Sequence, residues 1–163
     1  NNTRVTGVFV NETVEEVVAK CEEYRLDYIQ LHGNESPDYL NRLRKKINAS
    51  VKLIKAFSIR TEEDLQATSG YEGLCEYFLF DTATGGYGGS GKSFDWSILQ
   101  HYKGSAPFLL SGGIGPDSFE PLMNFQHPKL AGLDLNSRFE LKPGLKNAPL
   151  LSEFIQKIKS TRL

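Results

Sequence analysis

Six short apolar runs, each ending abruptly in polar residues or glycine, recur along this chain at a step of about twenty-five residues, and no other feature narrows the fold as much. They begin near residues 5, 27, 51, 77, 107 and 130. Between them the apolar residues fall at helical spacing. Thr13 can cap a helix carrying Val14, Val17, Val18 and Cys21, and Ser36-Pro37 opens one carrying Tyr39, Leu40, Leu43 and Ile47. Thr61 with Asp64 has the form of a capping box for a short helix ending near Gly70, and Pro116-Asp117 precedes Phe119, Leu122 and Met123. Leu150, Leu151, Phe154, Ile155 and Ile158 line one face of a last helix. Repeated βα units in a parallel sheet are therefore expected.

Two architectures share this rhythm. An open doubly wound sheet binds its ligand at a single crevice, whereas a (β/α)₈ barrel gathers every strand's C-terminal end at one mouth. Here nearly every run ends in polar residues or glycine: Gln30 and His32, Lys55, Asp81, Ser111 to Gly113, and Asp134 to Ser137. Many contributors to one mouth favour the barrel. At 163 residues the chain is shorter than the roughly 200 to 250 of a usual barrel. The expectation is a single domain over residues 1–163, a TIM barrel truncated at its N-terminus to about six βα units. The opening Asn1-Asn2-Thr3, with no initiator Met, agrees with a truncated start.

The stretch from Tyr77 to Trp96 carries the densest chemistry. Tyr77-Phe78-Leu79-Phe80 delivers Asp81 to the rim of the sheet, a glycine-rich loop follows, and Phe94 and Trp96 return to apolar surroundings. Gly86 to Ser93 matches the G-x-x-x-x-G-K-S of nucleotide-binding P-loops. In a P-loop, however, the glycines follow the strand almost at once and open a long helix, whereas here Asp81 to Gly85 intervene. A P-loop nucleotide-binding protein is the alternative reading, with a non-catalytic barrel fragment or interaction module as a third. His32, closing a strand beside Gly33, and Gln30 two residues before it, are candidate ligand contacts.

With 19 Lys and Arg against 20 Asp and Glu, the net charge of -1 offers no broad basic field for nucleic acid or anionic membrane. The sequence has no apolar stretch suited to crossing a bilayer, and its two cysteines are too few for a disulfide framework, so a reducing cytoplasm is expected. Cys21 falls on the apolar stripe of its helix and reads as core. Cys75 has no assigned role.

Taken together, these residues resemble the phosphoribosylanthranilate isomerase family of tryptophan biosynthesis, which has a (β/α)₈ barrel. The resemblance spans the chain: Gly7-Val8-Phe9-Val10-Asn11, Gln30-Leu31-His32-Gly33, Ile54-Lys55-Ala56, Asp81-Thr82, Gly88-Gly89-Ser90-Gly91 with Phe94-Asp95-Trp96, Leu110-Ser111-Gly112-Gly113, and Pro143-Gly144 with Lys146 stand in family order. The six runs then match strands 3 to 8, and the glycine loop matches the one after the family's sixth strand.

The resemblance implies an Amadori rearrangement of a phosphosugar, without metal or cofactor. Asp81 matches the general acid, which needs partial burial to hold a proton at neutral pH. Asp134 matches the acid near the anthranilate end, and Gln30 and His32 are expected at the substrate. The phosphate is expected against Gly112, Gly113, Asn136 and Ser137. Arg138 departs from the glycine of many relatives. The family's base is a Cys in a Lys-Ile-Cys-Gly segment on its first strand, and its second strand supplies an Arg that binds the anthranilate. Both segments are lacking here, so the chain is expected to be inactive alone, to need a missing N-terminal segment, or to self-associate through open sheet edges.

Overall fold

The computed structural model describes residues 3–82 and 96–162. Six strands form one parallel sheet in strict sequence order: β1 (Thr6–Phe9), β2 (Tyr28–Leu31), β3 (Lys52–Ser58), β4 (Tyr77–Asp81), β5 (Phe108–Ser111) and β6 (Leu130–Leu133). Each strand pairs with the next in the chain, Leu31 against Lys55, Ser58 against Asp81 and Asp81 against Ser111. Among the described residues β1 and β6 have a neighbour on one side only.

Helices cross between the strands where the sequence supplies a cap. In α1 (Val14–Glu23) the Thr13 hydroxyl accepts from the Glu16 N–H at 3.2 Å, and in α2 (Pro37–Arg44) Ser36 accepts from the Tyr39 N–H at 3.2 Å. These caps satisfy amides that the first helical turn cannot. In α3 (Glu62–Gln66) the Asp64 carboxylate accepts from the N–H groups of Arg60 and Thr61, each at 2.8 Å, and a 3₁₀ turn continues to Tyr71. After β4 the described crossover is a 3₁₀ helix, Trp96–His101, and after β5 it is a 3₁₀ turn and the six-residue α4 (Phe119–Asn124). The last helix, α5, runs Ala148–Arg162.

Two features differ from the sequence expectation. The sixth run, expected over Leu130 to Leu135, stops as a strand at Leu133. A small antiparallel hairpin, β7 (Glu140–Lys142) with β8 (Leu145–Lys146), lies where no strand was expected. Gly144 at φ +79° makes its turn, a conformation open to glycine and costly for other residues.

Strand alternation sorts the core into layers. Ile29, Leu31 and Leu53 pack with Val17, Leu40 and Leu43 on the helix side, and Phe78, Phe80 and Phe108 pack there with Leu99 and Tyr102. The opposite face of the sheet buries Ile54, Ala56 and Leu79 with Tyr28, Tyr77 and Leu109. That face is buried at its centre, around β3 and β4, while Val8 on the same face of β1 is 58% exposed. No described helix is long and apolar enough to cross a membrane.

Candidate functional site

The C-terminal ends of β2, β4, β5 and β6 converge on a cleft of about 210 Å³. His32 and Asp81 form one wall, and the turn Ser111 to Ile114, with Asp134, Asn136 and Ser137, forms the rest. Seven of the eight residues the sequence singled out thus line one cavity. The eighth, Gln30, reaches it through His32.

Asp81 is the last residue of β4, with its side chain 28% exposed and its Oδ2 3.9 Å from His32 Nε2. Gln30 Nε2 lies 3.1 Å from His32 Nδ1. With the amide so oriented, Nδ1 accepts, and a neutral ring carries its proton on the nitrogen facing Asp81. Strand alternation places Gln30 and His32 on the same side of β2, which makes this bond possible.

On the other side, Ser111 Oγ donates to Asp134 Oδ2 at 2.9 Å, and the Asp134 N–H donates to the Leu110 carbonyl at 2.8 Å. Gly112 and Gly113 have φ of +103° and +67°, so the chain turns where a larger residue would be strained. Asn136 is held by Lys146, whose ammonium also donates to Glu140 at 2.7 Å. Arg138 pairs with Asp117 at 2.9 Å on the exposed surface, and neither lines the cleft. At the end of β4, Trp96 Nε1 donates to Thr82 Oγ1 at 3.2 Å, and that hydroxyl donates to the Ser111 carbonyl at 3.0 Å. Trp96 is buried, as expected. Phe94 and the P-loop-like stretch Gly86 to Ser93 lie outside the described residues.

Lys55 departs from its expected place. It shares the helix-facing side of β3 with Leu53 and Phe57, is 3% exposed, and lies 3.3 Å from Glu35 Oε2. Burial pulls its pKa below the ordinary lysine value, against the opposing pull of Glu35. The sequence reading passed over Glu35. Of the two lysines in the run Val51 to Phe57, Lys55 is the one in alternation with Leu53 and Phe57, and that was its signal, since a buried ammonium requires a partner.

Neither cysteine lines the cleft. Cys21 is buried under α1, and burial raises its thiol pKa. Burial, with the nearby Glu76 carboxylate, pushes the Cys75 thiol up to about 12. Both are poor nucleophiles and bases at neutral pH. Among the described residues no cluster of three or more His, Cys, Asp or Glu is placed to hold a metal ion.

Parallel βα units with Asp81, His32 and a glycine turn gathered at one end define an α/β protein of the TIM-barrel type with its polar groups at the C-terminal mouth. A model of the N-(5'-phosphoribosyl)anthranilate (PRA) isomerase family matches residues 1–157. The N-(5'-phosphoribosyl)anthranilate isomerase of Parabacteroides distasonis is 58% identical over 93% of this chain and 67% of its own length. The crystal structure of the Thermotoga maritima phosphoribosyl anthranilate isomerase superposes at a TM-score of 0.78 with 30% identity, covering 97% of this chain and 74% of that one. A phosphoribosyl anthranilate isomerase solved in complex with reduced 1-(o-carboxyphenylamino)-1-deoxyribulose 5-phosphate matches at a TM-score of 0.75 and 25% identity, over 97% of this chain and 72% of that one.

The chain belongs to the PRA isomerase family, isomerases of tryptophan biosynthesis. The P-loop alternative gains nothing from these matches. They also give no support to the expectations of a lost front segment, an absent catalytic Cys segment, an inactive chain, or association through open edges.

Proposed function

We propose that this chain isomerises N-(5-phosphoribosyl)anthranilate to 1-(2-carboxyphenylamino)-1-deoxyribulose 5-phosphate. The observation that carries the reading is the single cleft in which Asp81, Asp134 and the turns at Gly112-Gly113 and Asn136-Ser137 meet. In this reading Asp81 gives its proton to the furanose ring oxygen as the C1–O bond breaks, and a base removes the C2 proton to form the enolamine. The enolamine then tautomerises to the ketone. Neither Cys21 nor Cys75 lines the cleft, so neither is assigned as that base.

The phosphate rests against the backbone of Gly112, Gly113 and Ser137, where positive-φ glycines let main-chain N–H groups approach an anion. Asp134, fixed by Ser111, faces the anthranilate end. His32 contacts the substrate on the Asp81 side, and Gln30 holds the His32 ring from behind. The rearrangement so written moves only protons and bonding electrons within the substrate.

The test follows loss of substrate fluorescence on isomerisation by the protein and by Asp81→Asn. The amide fills the same volume and cannot donate the acidic proton, so the rate is expected to fall by about 10² to 10⁴. Retention of more than about half the wild-type kcat would remove Asp81 from this role.

A further inference from the structure

Given the proposed isomerase reading, we infer that Glu35 and Lys55 are positioning residues that hold His32 against Asp81 from behind the sheet. Two charges are buried there, 1% and 3% exposed, and the cost of removing both from water is offset only by their mutual attraction and by well-placed hydrogen bonds. Their bonds go to the backbone around His32. Lys55 Nζ donates to the carbonyls of Leu31 at 3.3 Å and Gly33 at 2.8 Å, one on each side of the histidine. Glu35 accepts from the Gly33 N–H at 3.0 Å and from the Asn11 N–H at 2.8 Å.

The His32 N–H is itself held by the Phe9 carbonyl at 2.8 Å. Both peptides flanking the ring are thus pinned, and the end of β1 is tied to the end of β2 through Asn11. The fit has no slack, because a Cβ on Gly33 would stand 2.7 Å from the Asn11 nitrogen. Tyr71 Oη donates to the Glu35 carbonyl at 2.9 Å and fixes the carboxylate's own backbone. Neither charged group lines the cleft, so the pair reaches the chemistry only through His32.

The test is a cycle of Glu35→Gln and His32→Asn, measured as kcat and KM on folded protein. With His32 present, Glu35→Gln is expected to lower kcat by about 10- to 100-fold, since a misplaced group costs rate out of proportion to its distance. In the His32→Asn background the same change is expected to cost less than about twofold. Equal losses in both backgrounds would overturn the inference. Glu35→Gln leaves the Lys55 charge buried without its partner, so the charge-free Glu35→Gln/Lys55→Met protein is run beside it with the same expectation.

A second readout needs no turnover, which separates this inference from the isomerase assignment. The ring resonances of His32, identified by their loss in His32→Asn, are expected to move in the charge-free protein while those of His101 stay. If the His32 resonances do not move in folded protein, the pair is only structural.

Discussion

The two ends of the sheet are built in different ways. Around β1 to β3 the core is aliphatic, with Val17, Ile29, Leu31, Leu40, Leu43 and Leu53 almost wholly buried under the capped helices α1 and α2. Around β4 to β6 the described crossovers are short or 3₁₀, and rings fill the layer: Phe80 lies 4.8 Å from Phe108 and 5.0 Å from Tyr102, the latter edge-to-face. An amphipathic helix brings its own apolar stripe, whereas a 3₁₀ turn presents few side chains to the sheet and large rings fill the space beside it. The site follows the same division. The ring-packed end supplies Asp81, Ser111, Asp134 and the turns, while the regular end supplies His32 and a buried ion pair behind it.

The contrast can be broken most directly in the core. Phe80→Ala is expected to cost about 3 to 5 kcal/mol, because its ring packs against several others and its loss leaves a cavity. Leu53→Ala should cost less, near 2 to 3 kcal/mol by the same rule, as flanking aliphatic chains relax. Urea midpoints at matched slope decide the order, and an equal or larger loss for Leu53→Ala would end the distinction.

A smaller effect compares two glycines. Gly33→Ala pushes against the Asn11 backbone and is expected to cost about 1 to 3 kcal/mol, as overpacking does. In Gly132→Ala the nearest atom is a Leu109 side-chain methyl at 3.1 Å, which can rotate away, so the change should stay within about 1 kcal/mol. Thermal midpoints of the two proteins test whether the regular end is the tighter of the two at its mouth.

The smallest effect concerns two carboxylates. The Val5 N–H, helped by Arg4, holds the Asp27 pKa below the ordinary 3.8, and the N–H groups of Arg60 and Thr61 do the same for Asp64. A carboxyl with a depressed folded pKa contributes stability above its unfolded value and loses it as pH falls through the folded one. Asp64→Asn and Asp27→Asn should therefore each lie below wild type at neutral pH and converge with it below pH 3.8. A gap that persists at the acid end would show that packing, and no ionic bond, separates the proteins.

Much of this was legible in the sequence, for physical reasons. Apolar runs closed by polar residues located all six strands of the sheet, and Thr13 and Ser36 located the starts of α1 and α2 because their hydroxyls have a local task. Asp81, His32, Asp134 and Ser137 could be placed at one mouth because parallel strands share one direction. Lys55 could not be placed correctly from its strand-end position, since that position does not say which face a side chain takes; Leu53 and Phe57 set that face, and Glu35 lies on a different loop. The β7–β8 hairpin was hidden because Glu140 to Lys146 alternates too briefly to show a period. The 3₁₀ crossovers were hidden because their stability comes from contacts with distant rings.

The strictly sequential strand order also bears on how the chain is made. Among the described strands of the sheet each pairs with its neighbour in the chain, so loop closure is paid in short instalments. During synthesis at about 5 to 20 residues per second, each βα unit emerges a second or a few seconds after the one it pairs with. The sheet can grow in the order in which it is read.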